Sequence, residues 1–169
     1  NALSALEAGA QCVDVAVNGL GERCGLPPLA EVVTALTNIY KINGNWDLGL
    51  IPELTDMVAS FSKFDSNANQ PIVGKNAFTH KAGLHVKAVV KEPKSYEAIS
   101  PESLHRKRHF VIDKFAGAAA LINKLEGIGI KVSRQKLDPI LKEIKLHSEK
   151  VNWEDKELIS LIKSMGIKV

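Results

Sequence analysis

Leu29, Val32, Val33, Leu36 and Ile39 recur three or four residues apart, the spacing that lays one apolar stripe along a helix, and they predict a helix from Pro28 to about Ile42. Pro27-Pro28 suits its start, where the first N–H groups lack helical partners, and Gly44-Asn45 breaks it. Leu54, Met57, Val58 and Phe61 predict a second helix from about Leu50 to Lys63 with that face turned inward. Ala116 to Leu125 reads as an alanine-rich helix closed by Gly127 and Gly129. Two more helices follow from Leu137, Ile140, Leu141 and Ile144, and from Leu158, Ile159 and Ile162. Ser133 is placed to cap the first, with Pro139 in its early turns, where proline is tolerated best. Asn152, with Asp155 three residues on, forms a variant of the capping box for the second.

The remaining stretches supply the order. A helix ending at Gly9, then the apolar run Gln11 to Val17 with Asp14 inside it, then a Gly-rich loop from Asn18 to Pro28 is the rhythm of a βα protein with a parallel sheet. Asp65 to Gln70 is a polar, turn-forming linker. Pro71 to Gly74 leads into a loop and then a helix reaching about Lys91; Pro93 to Pro101 is irregular, and Phe110-Val111-Ile112 reads as a brief strand. The expected organisation is therefore an α/β segment over residues 1–64, a mostly helical linker region over 65–130 and a small helical subdomain over 131–169.

Composition narrows this only at the margins. The 169 residues are 45% hydrophobic and 24% charged, ordinary for a globular chain. A net charge of +3 without a basic face gives no ground for nucleic-acid binding, and the short cluster Arg106-Lys107-Arg108-His109 reads as a solvated or anion-contacting turn. Two cysteines, Cys12 in the apolar run and Cys24 in the loop, are too few for a disulfide framework and fit a reducing, cytoplasmic setting, with Cys12 packed inside. No apolar run reaches the roughly 18 residues of a membrane helix, and there is no signal-peptide pattern. The opening Asn1-Ala2-Leu3-Ser4 is already helical in character and lacks a methionine, which points to a truncated start.

Chemistry concentrates in two places. The loop Asn18-Gly19-Leu20-Gly21-Glu22-Arg23-Cys24-Gly25 would follow a strand and precede a helix, the end of a parallel strand where barrels carry their ligands. Its glycines allow close backbone approach and its N–H groups suit anions; Glu22 and Arg23 are equally suited to a structural ion pair. The stretch Gly74 to His85 holds His80 and His85, five residues apart and so about 140° apart on a helix, poor geometry for one metal. Either histidine can move protons near neutral pH, and either can be structural. Tyr96, eleven residues after His85, offers a phenol able to donate to a developing oxyanion, or a half-buried anchor for its segment. His105, His109 and His147 read as structural.

These residues also carry a resemblance. Ala2-Leu3 to Ala8-Gly9-Ala10, Asn18 to Gly25, Gly74 to His85, Tyr96 with Pro101-Glu102, and Lys114 with Gly117 resemble, in order and spacing over about the first 125 residues, the acyl-CoA-condensing synthases of the DRE-TIM metallolyase family. That family comprises the homocitrate, 2-isopropylmalate, citramalate and Re-type citrate synthases. The resemblance implies that residues 1–64 are the end of a TIM barrel, a (β/α)8 fold. It implies a divalent metal (Zn, Mg or Mn) held by an early acidic residue and a His-x-His pair expected upstream of Asn1. It implies a Claisen-type condensation of acetyl-CoA with a 2-oxo acid, followed by thioester hydrolysis. Asn18, Gly19, Gly21, Glu22, Arg23 and Gly25 would line the acetyl-CoA side, and His85 and Tyr96, with His80 beside them, would be catalytic helpers reaching a partner subunit's barrel in a homodimer.

Within the family, Phe78 to Ala88 and the apolar Leu26 look like the homocitrate branch, which serves lysine biosynthesis, whereas His105 and the Asp113-Lys114-Phe115-Ala116-Gly117 run depart from the usual glycine and Gly-Lys-His-Ser-Gly patterns. The expectation is a cytoplasmic acyltransferase acting on 2-oxoglutarate, the chain alone being inactive. The alternatives are the other three synthases, an aldolase-type lyase on the same barrel, or a non-catalytic dimerisation or regulatory module.

Overall fold

The chain crosses three times between two compact units in the computed structural model, which describes residues 1–167, and the polar stretch Asp65 to Gln70 lies inside the first; the last two positions of the 131–169 segment lie outside the described residues. Asn1–Ala77 with Pro101–Lys107 form the first unit, and Phe78–Ser100 with Arg108–Val169 the second. The architecture is mostly helical, with one small parallel sheet.

In the first unit, α1 (Ala2–Glu7) stops as expected at Gly9, whose φ of 103° is open to glycine. The predicted strand over Gln11 to Val17 does not form. Only a bridge between Ala16 and Pro28 remains, with Ala16 N–H donating to Pro27 at 3.1 Å and Leu29 N–H to Ala16 at 2.8 Å. A strand needs a neighbour to take its N–H and C=O groups; the neighbour offered here is a segment with two prolines, which lack the donor. Cys12 is accordingly exposed rather than packed. The next helix, α2 (Leu29–Asn38), ends before Ile42, where Ile42 N–H folds back onto the Leu36 carbonyl. After it, α3 (Ile51–Ser62) carries Pro52 in its first turn and ends on Lys63 in the left-handed conformation.

Burial in this unit differs from the periodicity. Ala30, Val32, Val33, Thr34, Ile51 and Thr55 are inside, while the predicted inner face of α3 is open: Leu54, Met57 and Phe61 are exposed, as is Ile39 of the α2 stripe. The helical spacing was sound, but no element of this unit lies over that face.

The second unit matches its pattern more closely. Thr79–His80 (β1) pairs in parallel with His109–Phe110 (β2), His109 N–H reaching Phe78 O at 2.9 Å and Val111 N–H reaching His80 O at 3.0 Å. The brief strand expected at Phe110 to Ile112 thus begins one residue earlier and ends at Phe110, and its partner lies in what reads as loop. From β1 the chain turns into α4 (Gly83–Lys91). Then come α5 (Ala118–Gly127), α6 (Arg134–Leu146) and α7 (Asp155–Ser164). Val86, Ile112, Leu121, Leu125, Leu137, Ile140, Ile144, Leu158 and Ile162 form one core between these helices. Pro139 is the sixth residue of α6, past the turn where its missing N–H costs nothing.

The cap of α7 also differs. Glu154, not Asn152, is the N-cap, and its side chain and that of Glu157 form the reciprocal capping box. Asn152 is used elsewhere, accepting from Ile112 N–H at 3.1 Å. Glu157 also accepts from the Lys150 ammonium, and this bond, with the Glu154 N–H, holds its carboxyl below the ordinary 4.5. A carboxyl whose folded value is depressed stabilises the fold above its unfolded value and loses that contribution as pH falls through the folded one. Glu157→Gln should therefore lower the melting temperature near neutral pH, and thermal unfolding in acid should show the gap closing as pH falls below 4.5. A gap independent of pH would mean that shape, not charge, matters at this cap.

Candidate functional site around His85, Tyr96 and Glu97

His85 enters the site from the first turn of α4, three residues after the extended β1 has turned into the helix. Its ring lies against that of Tyr96, centroids 4.4 Å apart and planes tilted by 35°. Both side chains are exposed, so the pair presents an imidazole and a phenol to solvent together. Tyr96 is about half exposed; it follows the short 3-10 turn Pro93–Ser95, and its N–H donates to Pro93 O.

His80 lies in a different environment. Its Nε2 is 3.0 Å from Glu97 Oε1, and Arg108 Nε donates to Glu97 Oε2 at 2.7 Å. The Glu97 side chain is only 4% exposed, and those of His80 and Arg108 are 12% and 22%. The structure thus brings His85 to Tyr96 and His80 to Glu97, through two consecutive residues of one segment. Sequence reasoning missed Glu97; an acidic residue directly after a candidate phenol, with arginines downstream, was the available signal.

The basic cluster is largely spent on the protein itself. Arg106 donates to Ile72 O at 2.7 Å and Gly74 O at 3.0 Å, and burial lowers its guanidinium somewhat against the opposing charge of Asp56. Lys81, next to His80, pairs with buried Asp113 at 2.7 Å, and Asp113 also accepts from Phe115 N–H at 2.8 Å, fixing the turn that departs from the family pattern.

The Gly-rich loop belongs to the first unit. Asn18 is buried with a φ of 59°, and its Nδ2 donates to Thr55 O at 3.0 Å. Leu26 N–H closes the loop onto Gly19 O at 3.1 Å. Gly25, at φ 82°, passes so close that a Cβ there would run into the Gly19 carbonyl. Gly21, Glu22 and Arg23 are exposed at the loop's outer turn.

Among the described residues, no group of three or more His, Cys, Asp or Glu side chains could hold a metal ion. These residues do not fit a divalent metal by themselves. Among the same residues no helix is long and apolar enough to cross a membrane.

The family model described as HMGL-like matches residues 1–58, and that described as homocitrate synthase post-HMGL domain-like matches residues 72–152. A homocitrate synthase of Methanopyrus kandleri is 37% identical over 166 residues, 98% of this chain and 42% of the relative. A homocitrate synthase of Pyrococcus abyssi is 40% identical over 154 residues, 91% of this chain and 42% of the relative. A probable 2-isopropylmalate synthase of Methanopyrus kandleri is 41% identical over 145 residues, 86% of this chain and 29% of the relative. The chain spans less than half the length of these relatives.

Proposed function

We propose that this chain, which belongs to the homocitrate synthase and 2-isopropylmalate synthase group, is the C-terminal part of a homocitrate synthase. In this reading the whole enzyme condenses acetyl-CoA with 2-oxoglutarate as a step of lysine biosynthesis. The observation that carries it is the joined pair His85 and Tyr96, exposed within a segment similar to homocitrate synthases along most of its length.

The chemistry follows from what these side chains can do. Condensation requires a proton to leave the acetyl methyl, the resulting carbanion equivalent to attack the keto carbon, and water then to cleave the thioester. An imidazole can shuttle a proton, and a phenol in contact with it can donate to the oxygen on which negative charge develops. His85 and Tyr96 are assigned these helper roles. The loop Asn18 to Gly25, with Gly19, Gly21, Glu22 and Arg23, is assigned to the acetyl-CoA side. A divalent metal, if the whole enzyme uses one as its relatives' family does, is assigned to residues outside this chain.

Residues 1–64 are read as the end of a (β/α)8 barrel. The open apolar face of Leu54, Met57 and Phe61 supports this, because such a surface is what the rest of a barrel would cover. Residues 65–130 are read as the linker subdomain and 131–169 as the small helical subdomain. The exposure of His85 and Tyr96 fits a role in a partner subunit's barrel, hence a homodimer, and the enzyme is assigned to the cytoplasm.

The test is thiol release by the full-length enzyme given acetyl-CoA, divalent metal and one of 2-oxoglutarate, oxaloacetate, pyruvate or 3-methyl-2-oxobutanoate. Preference for 2-oxoglutarate is the expected result. A preference for 3-methyl-2-oxobutanoate would move the protein to the isopropylmalate branch, to which one relative of similar identity belongs. Silence with all four acids would leave a lyase or a non-catalytic module.

A further inference from the structure

We propose that Glu97 is the positioning residue of this site, tying His80 and Arg108 to one carboxylate so that Tyr96 is held against His85; this rests on the reading of His85 and Tyr96 given above.

The arrangement is built from the sheet outward. Residue pairing of β1 with β2 places His80 on one strand and Arg108 immediately before the other. Glu97 takes one partner from each, through separate oxygens, at 3.0 and 2.7 Å. The segment it belongs to has no sheet or helix ladder of its own: the N–H groups of Tyr96 and Glu97 both hang on the Pro93 carbonyl, at 3.2 and 3.0 Å. The carboxylate thus ties this irregular segment to the sheet through two bonds, and Tyr96 is its immediate neighbour in the chain. His85 is fixed to the same sheet from the other direction, because α4 follows β1 after two residues. The mutual placement of the two rings is a loop of constraints closed by Glu97.

Burial argues the same way. A carboxylate this well covered is costly to desolvate, and its pairing with a guanidinium and an imidazole only offsets that cost. Such buried charges are poor sources of stability and good sources of a single geometry. An ionised carboxylate only accepts, so His80 Nε2 carries the proton in this contact, and that nitrogen is committed to Glu97. Through that nitrogen His80 bears on the site by way of Glu97.

In the full-length enzyme, Glu97→Gln should lower kcat by about tenfold to a hundredfold, as misplacing a catalytic group by an ångström does, with KM for the 2-oxo acid little changed. In a Tyr96→Phe background the same change should add almost nothing, since the group it positions is gone. Glutamine at position 80 can present an amide N–H where the imidazole Nε2 lies, so His80→Gln should retain most of the turnover that His80→Ala loses. Independently of activity, selective carbon-13 labelling of the histidine rings should show the His85 signals moving in Glu97→Gln as they move in Tyr96→Leu.

Additive losses in the Glu97 and Tyr96 pair, equal losses in His80→Gln and His80→Ala, or native His85 signals in Glu97→Gln would each overturn the proposal. An unchanged turnover in Tyr96→Phe would instead sink the functional reading of Tyr96, and the His85 signals would still decide whether Glu97 holds the rings together.

Discussion

Replacing His85 by alanine in the full-length enzyme should lower kcat by about 10²- to 10⁴-fold, the range for loss of a positioned proton-transfer group, while KM for the 2-oxo acid stays within a few-fold. The asymmetry follows from where the residue sits. His85 is on the first turn of α4, exposed and with its ring against that of Tyr96, so it is not part of the buried core. A group that acts only as charge moves in the transition state lowers kcat and kcat/KM together. Steady-state kinetics with each substrate varied separates the cases. A rise in KM with turnover unchanged would make His85 a binding residue, and no change in either would remove it from the reaction. Tyr96→Phe keeps the ring contact and deletes the hydroxyl, so a smaller loss there would separate the phenol's hydrogen bond from its packing.

The second unit was legible in the sequence where the physics is local. Leu137, Ile140, Leu141 and Ile144 repeat at helical spacing and are the buried face of α6; Leu158 and Ile162 do the same for α7. Those helices find their partners inside the unit. The same spacing in Leu54, Met57 and Phe61 gave a helix in the right place with its apolar face uncovered, because periodicity reports which side is apolar and not what covers it. Gln11 to Val17 failed for a related reason: an apolar run becomes a strand only when a neighbouring backbone takes its hydrogen bonds, and two prolines stand where the neighbour lies. The strand β1 was invisible because two residues carry no period; it exists through pairing with β2, a contact across about thirty positions that no local rule predicts.

The site divides along the same line. His85 and Tyr96 were readable one by one from residue type and joined only through the family resemblance, and the structure brings the two rings together. The Glu97 network was not, since it joins positions 80, 97 and 108 from three segments, and Arg108 in isolation looks like one more solvated cation. Capping shows how small the margin is. The rule for α7 was right and its register wrong by two residues, because Asn152 is recruited by the backbone of Ile112 and leaves the cap to Glu154.

The largest stability effect is expected at Ile140, which is fully buried on α6 in the core shared by α5 and α7. Ile140→Ala removes three carbon atoms from the buried cluster that also holds Leu121, Leu137, Leu158 and Ile162, and such a truncation costs about 2–5 kcal/mol, the upper end applying where the surroundings cannot close the gap. Collapse is restrained here because Pro139, the preceding residue, stiffens the backbone of α6. Phe61→Ala deletes more apolar surface, yet Phe61 is 80% exposed, so in this chain it should change stability by less than about 0.5 kcal/mol. Urea unfolding of the two variants followed by Trp fluorescence tests the contrast directly, because Trp153 reports the second unit's core and Trp46 lies exposed in the first. A large loss for Phe61→Ala in the isolated chain would mean that its face is covered after all, by a second copy, and the loss should then grow as the protein is concentrated.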